Sequence, residues 1–203
     1  MFIEQPSVFL RWLYPHALWR MNPKDRAVYL TFDDGPIPEA TPFILDVLDR
    51  FNAKATFFMV GDNAAKYPHL LEEVRQRGHR IGNHTYNHVG GFRWHSWRYT
   101  ANTEKANEIL HTDLFRPPHG WMRHVQYQRI RHRYRIVMWD VVTRDYSRLL
   151  TAEDVLRNVQ RYTRPGSIIT FHDSIKSIDK LKHILPIALQ WLRDQGYEFR
   201  VIE

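Results

Sequence analysis

The chain contains no cysteine. Disulfide bonds, thiolate metal sites and cysteine nucleophiles are therefore excluded together. It also lacks any apolar run near the ~20 residues that a membrane span needs. The longest N-terminal stretch, residues 8–14, is broken by Arg11 and stopped by Pro15. Its opening four residues have no basic start, apolar middle or small-residue cleavage site of the secretory kind. Cytoplasmic residence is the default expectation, with association to the cell envelope as the alternative. No internal repeat, low-complexity tract or Gly/Ser linker divides the sequence.

What is present suits one domain: 203 residues and 24.5 kDa, with 43% hydrophobic, 14% aromatic and 25% charged residues. The net charge is +7, with twelve histidines in addition. That favours anionic surfaces, polymers or nucleic acid by long-range attraction without specifying a reaction. The strongest nucleic-acid signal is a run in which Arg123, Arg129, Arg131, Arg133 and Arg135 interleave with His124, Tyr127, His132 and Tyr134. Such runs more commonly form a solvated helix face or a contact for an acidic glycan, and no nucleic-acid partner is expected.

Periodicity predicts short β-rich runs alternating with helices. Strands are expected at 27–32, 55–60, 80–82, 114–116, 136–142, 167–171 and 197–202. Helices are expected at 41–51, 70–77, 99–110, 151–161 and 180–195, the last kinked or divided by Pro186. Thr41 with Pro42, and Thr151 with Asp154, mark helix starts. About seven strands, apolar on both faces and alternating with helices, specify an α/β domain with a parallel sheet. A nearly closed barrel and an open doubly wound sheet both fit. Residues 1–26 precede the first strand, and Phe9, Trp12, Leu13, Leu18 and Trp19 suggest a segment packed on the outside, with contact to a membrane or partner as the alternative.

The polar residues suited to chemistry stand where predicted strands end. Asp33 and Asp34 follow the first, His84 and His88 the third, and Arg116 ends the fourth. Asp140 and Asp145 lie within or after the fifth, and His172 and Asp173 follow the sixth. The carboxyl ends of parallel strands share one face, so these positions converge on one cleft. Adjacent carboxylates at Asp33 and Asp34 need a cation or strong donors nearby. His84 and His88 share a face if their segment is helical, and with a strand-end carboxylate they form a two-His, one-Asp set that fits catalytic zinc or non-haem iron. His172 has the reference acidity of a general acid or base. In Arg116-Pro117-Pro118-His119-Gly120, prolines stiffen a loop, Gly120 lets backbone approach a ligand, and the His119 N–H is a candidate oxyanion donor. Arg116 is expected to pair with a carboxylate and lower its pKa.

Taken in order, Thr31-Phe32-Asp33-Asp34-Gly35-Pro36, His84-Thr85-Tyr86-Asn87-His88, Arg116-Pro117-Pro118-His119-Gly120 and Phe171-His172-Asp173 resemble the motifs of polysaccharide deacetylases, the NodB-homology group or carbohydrate esterase family 4. The resemblance runs from about residue 27 to the end. It implies a single-domain, distorted (β/α) barrel of about seven parallel strands, with 27–203 as the catalytic domain. It further implies one divalent metal ion, usually zinc with cobalt, manganese, nickel or iron as alternatives, and hydrolysis of N-acetyl or related acyl groups on N-acetylglucosamine-containing glycans. On that resemblance Asp33 is the general base, Asp34, His84 and His88 the metal ligands, and His172 the general acid. Arg116 would orient Asp33, and Asp145 would orient His172.

Four positions depart from the family pattern: Val142 where an acid is common, Tyr146 for a Trp, Thr170 for a Leu, and His119 for an aromatic. With Pro118 and Gly120, the residues His119, Tyr146 and Thr170 are the expected substrate contacts, and the acyl pocket is more polar than the family norm. A metal-dependent amidohydrolase acting on another acyl substrate is one alternative. A catalytically silent glycan-binding domain of the same fold is a second.

Overall fold

The computed structural model describes residues 4–203. In chain order its elements are α1 (Val8–Leu13), β1 (Ala27–Asp33), α2 (Thr41–Arg50), β2 (Ala55–Met59), α3 (Gly61–Lys66), α4 (Pro68–Gln76) and β3 (Arg80–Asn83). There follow α5 (Ser96–Leu110), β4 (Leu114–Phe115), α6 (His124–Ile130), β5 (Arg135–Ile136), β6 (Val141–Val142), α7 (Ala152–Tyr162), β7 (Ile168–His172), α8 (Ile178–Asp194) and β8 (Glu198–Phe199).

Seven strands pair in the order β5-β4-β3-β2-β1-β7-β6, every pairing parallel, and β8 joins the start of β1. The sheet curls into a half-barrel with helices outside, the architecture expected. Its centre is β1, whose seven residues are all buried, as in a strand covered on both faces. Ile44, Leu45, Val47 and Leu48 on α2, and Leu181, Leu185, Ala188 and Leu189 on α8, complete the same core. The α7 start is capped as its sequence indicates: the Thr151 hydroxyl accepts from the Asp154 N–H, and the Asp154 carboxylate accepts from the Thr151 N–H.

Two expectations are corrected. Residues 136–142 are not one strand. The chain leaves β5, crosses the opening of the sheet and re-enters as β6 on the opposite edge. The crossing is held by other partners: the Arg116 guanidinium donates to the Val137 and Met138 carbonyls, and the Met138 N–H donates to Leu18. Nor does Pro186 divide its helix, since α8 runs through it without a break. Apolar residues from Ile178 to Leu192 bury one face of α8, while Pro186 sits at its half-exposed edge, where water can satisfy the freed carbonyl. The helix α3 has no counterpart in the sequence reading, because Gly61-Asp62-Asn63 reads locally as a turn.

Of the segment 1–26, residues 1–3 lie outside the described residues. Leu18 pairs with the continuation of β5, donating to Ile136 and accepting from Met138, while Arg20 bridges Ser167 and Met21 donates to Gly166 at the foot of β7. The segment thus ties the β5 edge of the sheet to β7. Among the described residues, no helix is long and apolar enough to cross a membrane.

Candidate metal centre and active-site cleft

Parallel pairing sets the depth of each strand end. Asp33 and His172 are register partners across β1 and β7, and Asn83, one residue before His84, partners Phe115, one residue before Arg116. Four chain segments therefore deliver their polar ends to one level, at the carboxyl end of the sheet.

There the Asp34 carboxylate lies 3.1 Å from His88 Nε2 and 3.7 Å from His84 Nε2. The three donor atoms lie within 4.8 Å of one another, close enough to hold one ion. The His84 Nδ1 is 2.8 Å from the Arg116 carbonyl, an arrangement in which Nδ1–H donates and leaves the Nε2 lone pair facing the cage. One carboxylate and two imidazoles fit a borderline divalent ion such as zinc. The four-residue spacing does not arise from a helix, contrary to the sequence reading. Thr85 and His88 have φ of 63° and 52°, and the loop closes through Val89 N–H to Thr85 Oγ1 and Thr85 N–H to Asn83 Oδ1.

The electrostatics favour ligands in their binding forms. Burial pushes Asp34 up, but the His88 hydrogen bond and the charges of His172, His84 and His88 hold it well below the usual carboxylate range. Burial, with His88 alongside, holds His84 well below its ordinary value and hence neutral.

Asp33 is nearly sealed, 5% exposed, and its Oδ1 accepts from Arg116 Nη1 at 2.6 Å. Arg116 is itself 1% exposed, lies over the Phe58 ring and also donates to Thr31 Oγ1. The ion pair forms as expected, but the net direction does not follow: burial outweighs the guanidinium, and the Asp33 pKa is raised. Behind the turn, Asp173 accepts from the Gly35 N–H and the Thr41 hydroxyl. A Cβ on Gly35 would stand 1.8 Å from that carboxylate, so the turn requires glycine.

His172 lies across the cleft. Its Nδ1 is 2.8 Å from Asp145 Oδ1, and its backbone N–H donates to Asp145 Oδ2. Burial alone would lower its pKa, yet the Asp145 charge and hydrogen bond, helped by Asp34 and Asp33, raise it to about 9. It is an imidazolium at neutral pH. The Tyr146 ring packs edge-on against it at 4.7 Å. From α8, Lys180 Nζ donates to the carbonyls of Asp145 and Ser147 and so holds this loop.

The three cage residues, Asp33, Arg116 and His172 line a cavity of about 340 Å³. Of the expected substrate contacts, His119, Gly120, Tyr146 and Thr170 line it, with Val142; Pro117 rather than the buried Pro118 forms that part of the wall. The His119 ring stands edge-on to His88 at 4.9 Å. Gly120, at φ 74°, lies where a Cβ would strike the Trp139 ring at 2.2 Å. Asp140 is not brought to the cleft: fully buried, it accepts from Arg164, Ser167 and Arg11. Leu10 of α1, Trp121 and Lys176 line the cleft without having been read as site residues. Trp121 and Lys176 each lie a few positions beyond a recognised motif, which was the available signal; Leu10 had none. In the arginine run, Tyr127 and Tyr134 are buried, so its aromatics pack inward.

A curled parallel sheet with a three-donor cage, a buried carboxylate and an imidazole at its carboxyl end defines an α/β-barrel protein with a polar cleft. The chain belongs to the polysaccharide deacetylase family, whose profile matches residues 20–133. It is similar to a peptidoglycan-N-acetylglucosamine deacetylase of Bacillus cereus, 36% identical over 188 residues, which cover 86% of this chain and 68% of the relative. The solved Bc1960 peptidoglycan N-acetylglucosamine deacetylase, in complex with an N-hydroxybenzamide, superposes with a TM-score of 0.84 at 33% identity, covering 95% of this chain and 94% of that one. A pseudoenzyme of carbohydrate esterase family 4 from Bacillus anthracis superposes at 0.81 with 26% identity, covering 97% and 71%.

Proposed function

We propose that this chain is a metal-dependent hydrolase that removes N-acetyl or related acyl groups from N-acetylglucosamine-containing glycans, of the kind its similar proteins are named for. The observation that supports it best is the placement of two proton-handling groups, Asp33 and His172, at one level beside the cage of Asp34, His84 and His88. A divalent ion held by those three residues, with zinc the best match, would polarise the acyl carbonyl and acidify a water. Asp33, aimed by Arg116, accepts the water proton as the water oxygen bonds to the carbonyl carbon. The His119 N–H, which donates to none of the described residues, is the candidate donor to the developing oxyanion. As the C–N bond breaks, His172 gives its Nε2 proton to the departing amine nitrogen, and Asp145 steadies the ring through Nδ1. The products are a carboxylic acid and a free amino sugar. Residues 27–203 form the catalytic unit in this reading, and 4–26 complete its cleft through Leu10. Family membership by similar proteins that act on peptidoglycan extends the reading to glycans of the cell envelope.

The test is acetate release from a panel of N-acetylated oligosaccharides and peptidoglycan fragments, with and without chelator. Chelator-sensitive release is expected, and Asp33→Asn should abolish it while metal content stays unchanged. Release that persists through both treatments would overturn the mechanism, and no release from any substrate, with the cage loaded, would favour a silent binding domain.

A further inference from the structure

Ten large apolar side chains are strongly exposed among the described residues, and their distribution is uneven. Phe92, Trp97, Trp121, Val125, Leu149 and Ile175 all lie on connections that leave the carboxyl ends of β3, β4, β6 and β7, or on the first turn of the following helix. In a parallel sheet these positions share the end that carries the cleft. Three more occupy α1: Val8, Phe9 and Trp12, at 85%, 62% and 73% exposure. The opposite side of that helix places Leu10 in the cleft wall, and the Phe9 and Trp12 rings stack at 6.2 Å. Ile187, on α8, is the exception.

A cation adjoins four of the six apolar residues on these connections. Arg93 follows Phe92, Arg98 follows Trp97 with its guanidinium 5.1 Å from the indole, Arg148 precedes Leu149, and Lys176 follows Ile175. All four cations are exposed, and none makes an ion pair among the described residues, so their charge is open to an anionic surface.

We propose that this face docks on an anionic membrane surface, seating α1 and the apolar tips among lipid headgroups with the cleft opening toward them. Apolar prongs separated by unpaired cations suit a headgroup layer, where rings and aliphatic tips enter the acyl boundary and cations meet phosphates. Branched aliphatic tips such as Val8, Leu149 and Ile175 offer a sugar no flat face to stack on. Resting on the proposed function, this narrows the substrate to acylated glycans held at a bilayer, such as lipid-linked or amphiphilic ones.

The test uses the full chain in co-sedimentation with phosphatidylcholine vesicles, with and without phosphatidylglycerol. Binding to the anionic vesicles is expected, weakened by salt and about tenfold weaker for Phe9→Ser/Trp12→Ser and for Arg98→Glu/Arg148→Glu. Both double variants should keep the wild-type melting temperature and the wild-type rate on a soluble oligosaccharide. Asp33→Asn should bind as tightly as wild type, so a failure of the catalytic reading leaves this result standing. The proposal is overturned by equal pelleting with neutral and anionic vesicles, by variants that bind like wild type, by retention on insoluble glycan alone, or by concentration-dependent self-association that the α1 substitutions abolish.

Discussion

Asp33 and Asp34 are neighbours in the chain yet have separate surroundings. Asp33 ends β1 against Arg116, while Asp34, at φ 88°, turns toward two imidazoles. This division was legible in the sequence, because adjacent acids at a strand end require different partners. The direction of the Asp33 pKa was not, because Arg116 advertises its charge in the sequence while the depth of burial emerges only from packing. The pairing of His172 with Asp145 leads to a prediction at this scale. In the proposed mechanism His172 donates its proton from the charged form, so kcat/KM should fall as pH rises through about 9. Asp145→Asn removes the charge that holds the pKa up and leaves the burial that pushes it down. The alkaline limb should therefore move to lower pH, and the rate at neutral pH should drop by about a hundredfold. A pH profile with an unmoved limb would show that Asp145 is only structural. Leu10 was the least legible part of the cleft wall, because it comes from a segment with no motif.

At the scale of elements, the long central strands and the amphipathic helices were legible, because β1 is continuously apolar and α7 carries its own cap. The two-residue strands β4 and β8 fall inside the expected 114–116 and 197–202, whereas β5 and β6 were merged into one run, since a pattern needs more than one repeat to register. The passage from β5 to β6 is the instructive case: one extended, apolar run crosses between two edges because Leu18 and Arg116 supply its partners from far away in sequence. Asp140 anchors the end of that passage, joining Arg11 of α1 to Arg164 and Ser167. Burial alone would raise its pKa, but the Arg164 and Ser167 hydrogen bonds and the cations outweigh it and leave the value lowered. Asp140 therefore contributes stability above the ordinary carboxylate value of 3.8, and that contribution is lost as pH falls through the depressed value. Asp140→Asn should cost roughly 2 kcal/mol at neutral pH, below the full penalty for a broken buried pair because both arginines are partly exposed. Denaturant titration would measure it, and the difference from wild type should vanish in strong acid.

For the whole molecule, the acid limb of stability has an identifiable contributor away from the cleft. His79 is buried on Phe57, its Nδ1 accepts from the Ala55 N–H, and its Nε2 has no partner. Burial, with the charges of Lys54 and Arg77 alongside, lowers its pKa from 6.5 to about 4. The unfolded chain thus binds this proton more readily, so stability is complete above pH 6.5 and declines as pH falls toward 4. His79→Gln retains an acceptor without a titrating group and should flatten the melting temperature between those values. An unchanged slope would assign the acid sensitivity to other groups.

The ties from Leu18 and Met21 to Ile136 and Gly166 also bear on biosynthesis. During synthesis Leu18 and Met21 must wait for partners made more than a hundred positions later, and until then the β5 rim and the foot of β7 stand open. Nascent chains stalled before Gly166 should accordingly be the aggregation-prone species, and chaperone demand should fall once Gly166 has emerged.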